Sequence, residues 1–177
     1  APVAFPPEVE EMARQYGASK LLAVVPGGAT RTESVQAGLA QIPADSRLVA
    51  VHDAARPLVS QNVIYAALQA AAETGAAAPA LPVKDTIKVA SGGVVVATPE
   101  RAKLFAVQTP QCFDRDLLSA ALAQPDGVWT DDCAALEQLG VRVRLTPGEE
   151  RNFKVTTPLD LQLARLLAAE ENEHNEE

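Results

Sequence analysis

The stretch VAVHDAARP at 49–57 constrains this 177-residue chain more than any other. Residues 48–51 (LVAV) form a short apolar run suited to a strand buried in a sheet, and His52, Asp53, Arg56 and Pro57 follow directly. An apolar run that stops in a polar cluster marks a strand tip. In open α/β sheets the carboxyl ends of the strands line the ligand crevice, which places Asp53 and Arg56 against a bound molecule. A carboxylate binds a hard cation such as Mg2+ through oxygen, and a guanidinium holds a phosphate with its planar fork. The pair suits a phosphate ester. Taken alone it equally suits an ion pair closing a loop, with Pro57 opening a turn.

The rest of the chain alternates strand and helix signals around this tip. A short helix is expected over 8–16, ended by Gly17, and a strand over 21–25 that stops at Pro26-Gly27-Gly28. Thr30 and Glu33 have capping-box spacing, with Val35, Leu39 and Ile42 on one apolar face behind them. A glycine loop therefore runs into a helix start, where amides favour anions; it is not a full GxGxxG or P-loop, and a plain turn explains it as well. Ser60 is an N-cap for a helix that Gly75 ends, and 76–81 is a further strand. Two strand-to-helix units in succession predict a parallel sheet with right-handed crossovers.

Residues 84–90 and 94–98 flank Ser91-Gly92-Gly93, a hairpin pattern set into this alternation. A two-stranded ribbon is poorly stable alone, so a second subunit is one candidate to cover it. A strand over 104–107 is expected to deliver QTPQ (108–111) to the sheet edge. Asp114 caps one helix, and Thr130 is expected to cap another that Gly140 closes. Asp131-Asp132 at that start is explained by the helix dipole, or by metal or sugar hydroxyls. Residues 141–145 and 152–155 read as strands, and Thr157-Pro158 as N-cap and first residue of the terminal helix. Lys154, between apolar neighbours, is either a snorkelling cation or one aimed into the cleft.

Composition narrows the partners. A net charge of −8 argues against a nucleic-acid footprint, which needs a basic stripe, though a few converging cations suffice for a small phosphorylated molecule. Part of the excess sits in the acidic stretch 171–177, expected to be solvated and frayed. The apolar runs fall short of the roughly 20 residues a spanning helix needs and no signal peptide is evident, so the expected location is the cytoplasm, with no membrane partner. Cys112 and Cys133, without CxxC spacing, read as reduced thiols. With two histidines in the chain, one of them in the acidic stretch, no Ser/His triad is evident.

Six motifs fall in one order: GGATRTESV (27–35), VHDAARP (51–57), PVKDTIK (82–88), QTPQ (108–111), TDD (130–132) and NFKVTTP (152–158). In register over about residues 21–168, they resemble the 2-C-methyl-D-erythritol 4-phosphate cytidylyltransferase family. The resemblance implies a Rossmann-like α/β nucleotidyltransferase fold, with a mostly parallel sheet in a single domain over 1–170. It implies an inserted β-hairpin dimerisation arm at about 83–101, a homodimer, and CTP with Mg2+ as the divalent cation. The phosphate of a polyol phosphate, methylerythritol phosphate, would attack the α-phosphorus of CTP and release pyrophosphate. By resemblance, Gly28, Ala29 and Ser34 would hold cytosine, with Ala29 standing where the family often has Asp. Asp53 would serve the nucleotide, the metal and the polyol hydroxyls, and Arg56, Thr130 and Lys154 would line the substrate site. Thr86, Arg101 and Thr109 match positions presented to the neighbouring subunit's substrate, and Arg101 and Lys154 are the candidate catalytic cations. The family's N-terminal strand, glycine-rich phosphate loop and following basic residues have no counterpart in these residues, which predicts an N-terminally truncated domain. The alternatives are a ribitol 5-phosphate cytidylyltransferase and a non-catalytic dimerising fragment.

Overall fold

The strand tip at 48–57 lies at the edge of a five-stranded sheet in the computed structural model, which describes residues 6–124, 129 and 131–175. The sheet contains β1 (Leu48–Val51), β2 (Ala76–Pro82), β5 (Phe105–Val107), β6 (Gln111–Asp114) and β7 (Arg144–Pro147), while β3 (Val89–Ser91) and β4 (Val94–Ala97) form a separate ribbon. The helices are α1 (Pro6–Gln15), α2 (Arg31–Leu39), α3 (Gln61–Thr74), α4 (Arg115–Leu122), α5 (Asp132–Gln138) and α6 (Pro158–Asn175).

The predicted β1-α3-β2 unit is present with one strand inserted. β6 lies between β1 and β2 and is antiparallel to both, so β1 and β2 point the same way, and β7 is parallel to β2. The sheet is thus less parallel than expected: β7 with β2 is the parallel pairing, while β6 pairs with β1 and β2, and β5 with β2, antiparallel. The cause is the return of the chain after the hairpin, because β5 and β6 both run back along β2. Ala80 faces Val107, which would put Ala77 opposite residue 110, yet Ala77 faces Cys112; two extra residues are absorbed between the strands. This bulge turns Gln108, Thr109 and Gln111 inward, where they are 5%, 5% and 3% exposed. QTPQ is therefore not at a sheet edge but inside, beside β1.

Small residues let helices approach both faces of the sheet. On one, Ala67, Ala70 and Ala71 of α3 pack on Ala77 and Cys112. On the other, Val49, Ala76, Ala78 and Phe113 meet Leu118, Ala121 and Leu122 of α4 and Ala135 and Leu136 of α5. Phe113 and Leu136 are fully buried, and truncating such a side chain to Ala costs about 3–5 kcal/mol.

Most helix ends follow the sequence signals. The Thr30–Glu33 capping box, the Ser60 and Asp114 N-caps and the Gly75 C-cap are all formed. At α6 the Thr157 hydroxyl accepts from Asp160 N (3.2 Å) while the Asp160 carboxylate accepts from Thr157 N (2.8 Å). α5 departs from expectation: its cap is Asp131, accepting from Ala134 N at 2.9 Å, and Thr130 lies outside the described residues. Its far end is a Schellman motif, in which Val141 N donates to Leu136 O (3.1 Å) and Gly140 N to Glu137 O (2.9 Å). That use of Val141 is why the last parallel strand starts at Arg144 and not at 141. Helical backbone of α6 continues to Asn175, past the start of the acidic stretch; residues 176 and 177 lie outside the described residues.

Two predicted strands are absent. Residues 21–25 pair with none of the described strands, and an apolar run without a partner forms no ladder. Residues 152–155 are held instead by a turn, Asn152 N to Glu149 O (3.0 Å), and one cross-loop bond, Val155 N to Ala55 O (2.8 Å). The hairpin is shorter than its pattern. Gly92 (φ 56°) and Gly93 (φ 80°) make the two-residue turn that suits the strand twist, but the register shifts between Val89 and Ala90, and the ladder ends one pair beyond, at Val89 and Ala97. Both its strands are exposed on both faces.

Candidate nucleotide and phosphate site

The end of β1 carries the densest polar geometry. Asp53 N donates to Thr109 Oγ1 (3.1 Å), and Arg56 N donates to Asp53 O (2.9 Å), closing a turn. His52 Nε2 lies 3.1 Å from the Arg56 carbonyl, which can only accept, so Nε2 carries the proton. In neutral His52, Nδ1 is then the acceptor of the Thr109 hydroxyl, 3.0 Å away. Every donor in this chain of bonds has one direction.

Two cations converge on Asp53. Lys154 Nζ is 3.0 Å and Arg56 Nε 3.8 Å from Asp53 Oδ2. Arg56 Nη1 also donates to Asn152 O at 2.7 Å. Burial draws the Arg56 guanidinium below its usual value and Asp53 opposes that shift. Two positive groups on one carboxylate leave an excess positive charge at the strand tip, suited to a phosphate. Arg56 and Lys154 share with the arm's base a groove of about 520 Å³, lined also by Gln108, Lys84, Asp85 and Glu150, while Asp53 borders a different cavity.

The glycine loop lies at the start of α2. Gly28 N donates to Ser34 Oγ (3.0 Å), whose hydroxyl donates to Thr30 O (2.9 Å). A Cβ on Gly28 would overlap the Glu33 Cβ and lie 2.8 Å from its carboxylate oxygen, so the loop admits no side chain there. Ala29 is exposed beside it. A cavity of about 660 Å³ joins the first turns of α2 to the strand tip, with Arg31, Ser34, His52 and Asp53 at its polar side and Val35, Val49 and Val51 among its apolar walls. A ligand of nucleoside size matches that volume.

Several structuring residues were not evident from spacing. Arg31 makes two 2.7 Å bonds to the carboxylate of Asp132, which is 1% exposed. The Asp132 bond, more than any other influence, raises the Arg31 pKa against the lowering effect of burial. Gln111 Oε1 accepts from Asp132 N (3.1 Å) and Cys133 N (3.3 Å), and its Nε2 donates to Asp131 Oδ2 (2.9 Å). Asp131 and Asp132 are thus committed to a helix cap and an ion pair. The sequence signal for this network was the pair of glutamines in QTPQ, polar residues in an otherwise apolar return strand.

Of the residues matched to a neighbouring subunit, Thr109 sits under its own Asp53. Thr86 is exposed at the arm's base, and Arg101, in a turn of 3-10 helix (Arg101–Lys103), donates to Lys84 O at 2.9 Å. Neither touches Asp53, Arg56 or Lys154 among the described hydrogen bonds and ion pairs. Cys112 is buried with its thiol pushed up to about 11, and Cys133 is shifted further the same way, so neither supplies a nucleophile. Among the described residues no three His, Cys, Asp or Glu side chains form a metal cage.

The family model of 2-C-methyl-D-erythritol 4-phosphate cytidylyltransferase matches residues 2–170. The chain belongs to this family. It is 48% identical to the cytidylyltransferase of Desulforamulus reducens over 158 residues, 87% of this chain and 68% of that protein. To that of Symbiobacterium thermophilum it is 51% identical over 156 residues, 86% of this chain and 66% of the relative. The crystal structure of the Thermus thermophilus enzyme superposes with a TM-score of 0.75 at 40% identity, covering 82% of this chain and 72% of that one. That of 4-diphosphocytidyl-2C-methyl-D-erythritol synthase from Anaerococcus prevotii gives 0.78 at 29% identity, covering 90% and 77%. The chain spans about two thirds of the length of these two sequence relatives. Membership places the sheet, its antiparallel return included, within the family's α/β nucleotidyltransferase fold. Among the described residues no helix is long and apolar enough to cross a membrane.

Proposed function

We propose that the protein transfers the cytidylyl group of CTP to the phosphate of 2-C-methyl-D-erythritol 4-phosphate, in the cytoplasm. The observation that carries this reading is the convergence of Arg56 and Lys154 on Asp53, next to a side-chain-free loop at Gly28 and across one cavity from Ser34. Gly28, Ala29 and Ser34 face the base; Arg56 and Lys154 hold the acceptor phosphate. One of its oxygens attacks the α-phosphorus of CTP, a new P–O bond forms, and the bond to pyrophosphate breaks with its electrons leaving on oxygen. Such a transfer needs positioning and charge stabilisation, and no nucleophilic side chain. A divalent cation fits the donor set: Mg2+ uses one or two carboxylates and completes its shell with phosphates and water, and Asp53 offers such a carboxylate, its side chain 25% exposed. When bound it would neutralise phosphate charge. Lys154 meanwhile keeps a cation beside Asp53 before substrate arrives.

The same reading assigns the exposed ribbon to a homodimer arm, bringing Thr86 and Arg101 to the partner subunit's substrate. Pyrophosphate release with CTP and either methylerythritol phosphate or ribitol 5-phosphate tests the acceptor; equal or faster turnover of ribitol 5-phosphate overturns it. Arg101→Ala and Lys154→Ala homodimers should each be inactive, and mixing them under subunit exchange should restore activity through a site holding both cations. No recovery despite exchange refutes the shared site.

A further inference from the structure

One polar side chain beside the cation cluster is completely buried: Asn152, 0% exposed. Its Nδ2 donates to Gln108 Oε1 (3.2 Å) and to Thr109 O (2.9 Å). Among uncharged side chains, serving two acceptors from one nitrogen takes an amide; a carboxylate has no hydrogen there and a hydroxyl only one. Asn152 Oδ1 has no partner among the described residues. The contacts this position makes are therefore those of its two donor hydrogens.

Three separate segments meet at this amide. Gln108 Oε1 also accepts from Glu149 N (3.2 Å) and its Nε2 donates to Glu149 O (2.8 Å), fastening the 108–110 bulge to the loop that carries Lys154. A Cβ on Gly148 would lie 2.6 Å from Gln108 Oε1 and 3.1 Å from Ala80 O, so the loop approaches the sheet as closely as backbone allows. The Asn152 carbonyl receives Arg56 Nη1 at 2.7 Å, and Val155 N reaches Ala55 O at 2.8 Å. Thr109, whose carbonyl Asn152 holds, supports Asp53 through its hydroxyl.

We propose that Asn152, latched by Gln108, is a positioning residue that sets Arg56 and Lys154 at their spacing about Asp53 for the acceptor phosphate. This rests on the cytidylyltransferase reading. Among the described hydrogen bonds the latch leads to Arg56 and to the segment that carries Lys154, and none joins it to Gly28 or Ser34, so its effect falls first on the polyol phosphate.

The test is a double-mutant cycle in the intact protein. Asn152→Ala should lower kcat/KM for the polyol phosphate about 100-fold, as misplacement of a reacting group by about 1 Å does. The KM for CTP should stay within about threefold, and in an Arg56→Ala background the further loss should be well below the roughly 100-fold seen alone, because the part of the effect that runs through Arg56 is already gone and only the part through Lys154 remains. A full second loss in that background, or equal rises in both KM values, overturns the proposal, since a side chain that merely stabilises the fold acts independently of Arg56. If Asn152→Ala does not fold, Gln108→Glu is read in the same cycle; it keeps the shape and sets a carboxylate oxygen against Glu149 O. Hydrogen exchange separates this inference from the activity reading. Should the unmodified protein transfer no cytidylyl group, faster exchange at both the Arg56 and Val155 amides in the variant still supports the latch, and unchanged exchange overturns it.

Discussion

Removing the Asp132 carboxylate tests how far one buried ion pair holds the glycine loop in place. Arg31 opens α2 directly after the glycine loop, and Asp132 opens α5, so their two 2.7 Å bonds join two helix starts 101 residues apart in sequence. Breaking a buried pair costs about 3–5 kcal/mol when the survivor is left desolvated. In Asp132→Ala the survivor is Arg31, whose side chain is 33% exposed and regains water, so the cost falls to about 2–3 kcal/mol. For a chain of this length that lowers Tm by about 5–10 °C. Arg31→Met strands the carboxylate at 1% exposure and should be the more damaging single change, at the full buried-pair cost of about 3–5 kcal/mol. Replacing both, Arg31→Met with Asp132→Ala, should cost less than Arg31→Met alone. Thermal unfolding of the four proteins gives the cycle directly. A Tm change below about 1 °C for Asp132→Ala, or additive singles, refutes the reasoning. Loss of the α2 anchor should also raise the KM for CTP more than that for the polyol phosphate, the reverse of the Asn152 pattern.

Gly28→Ala should weaken CTP binding and cost about 1 kcal/mol through the displaced Glu33 capping box; unaltered CTP affinity in a titration would remove Gly28 from the nucleotide site. Asp160 lies below the usual carboxylate range, first because the Thr156 backbone amide bonds to it and then because Thr157 does. A depressed folded value contributes stability above the ordinary pKa of about 3.9 that disappears as pH falls through the folded value, so Asp160→Asn should flatten the acid limb of urea midpoints. An unchanged limb would contradict it. Cys112 and Cys133 should resist alkylation at pH 8 in the folded protein and react fully in denaturant; rapid labelling of either while folded contradicts the burial and raised thiol values.

Much of this protein was legible in local chemistry. The strand ending at Asp53, the Thr30–Glu33 box, the Ser60 and Asp114 caps, the Gly75 stop and the Gly92-Gly93 turn each depend on a few adjacent residues. The six ordered motifs identified the family because their types and order survive without knowledge of any contact. What failed was long-range pairing. Residues 21–25 have the composition of a strand, but a strand exists only with a neighbour. Residues 152–155 alternate like one, but Asn152 is drawn into a side-chain latch instead.

The sequence by itself determined where most helices begin and end and which charged groups stand at a strand tip, since both follow from bonds that span four or five residues. Only the tertiary structure decided that β6 enters between β1 and β2, that Arg31 meets Asp132, and that Gln108 and Asn152 fasten Lys154 to Arg56. Those pairings join residues 35 to 101 positions apart. Their partners are chosen by the two-residue bulge before β6 and by the need of each buried polar group for a hydrogen bond, which no local pattern records.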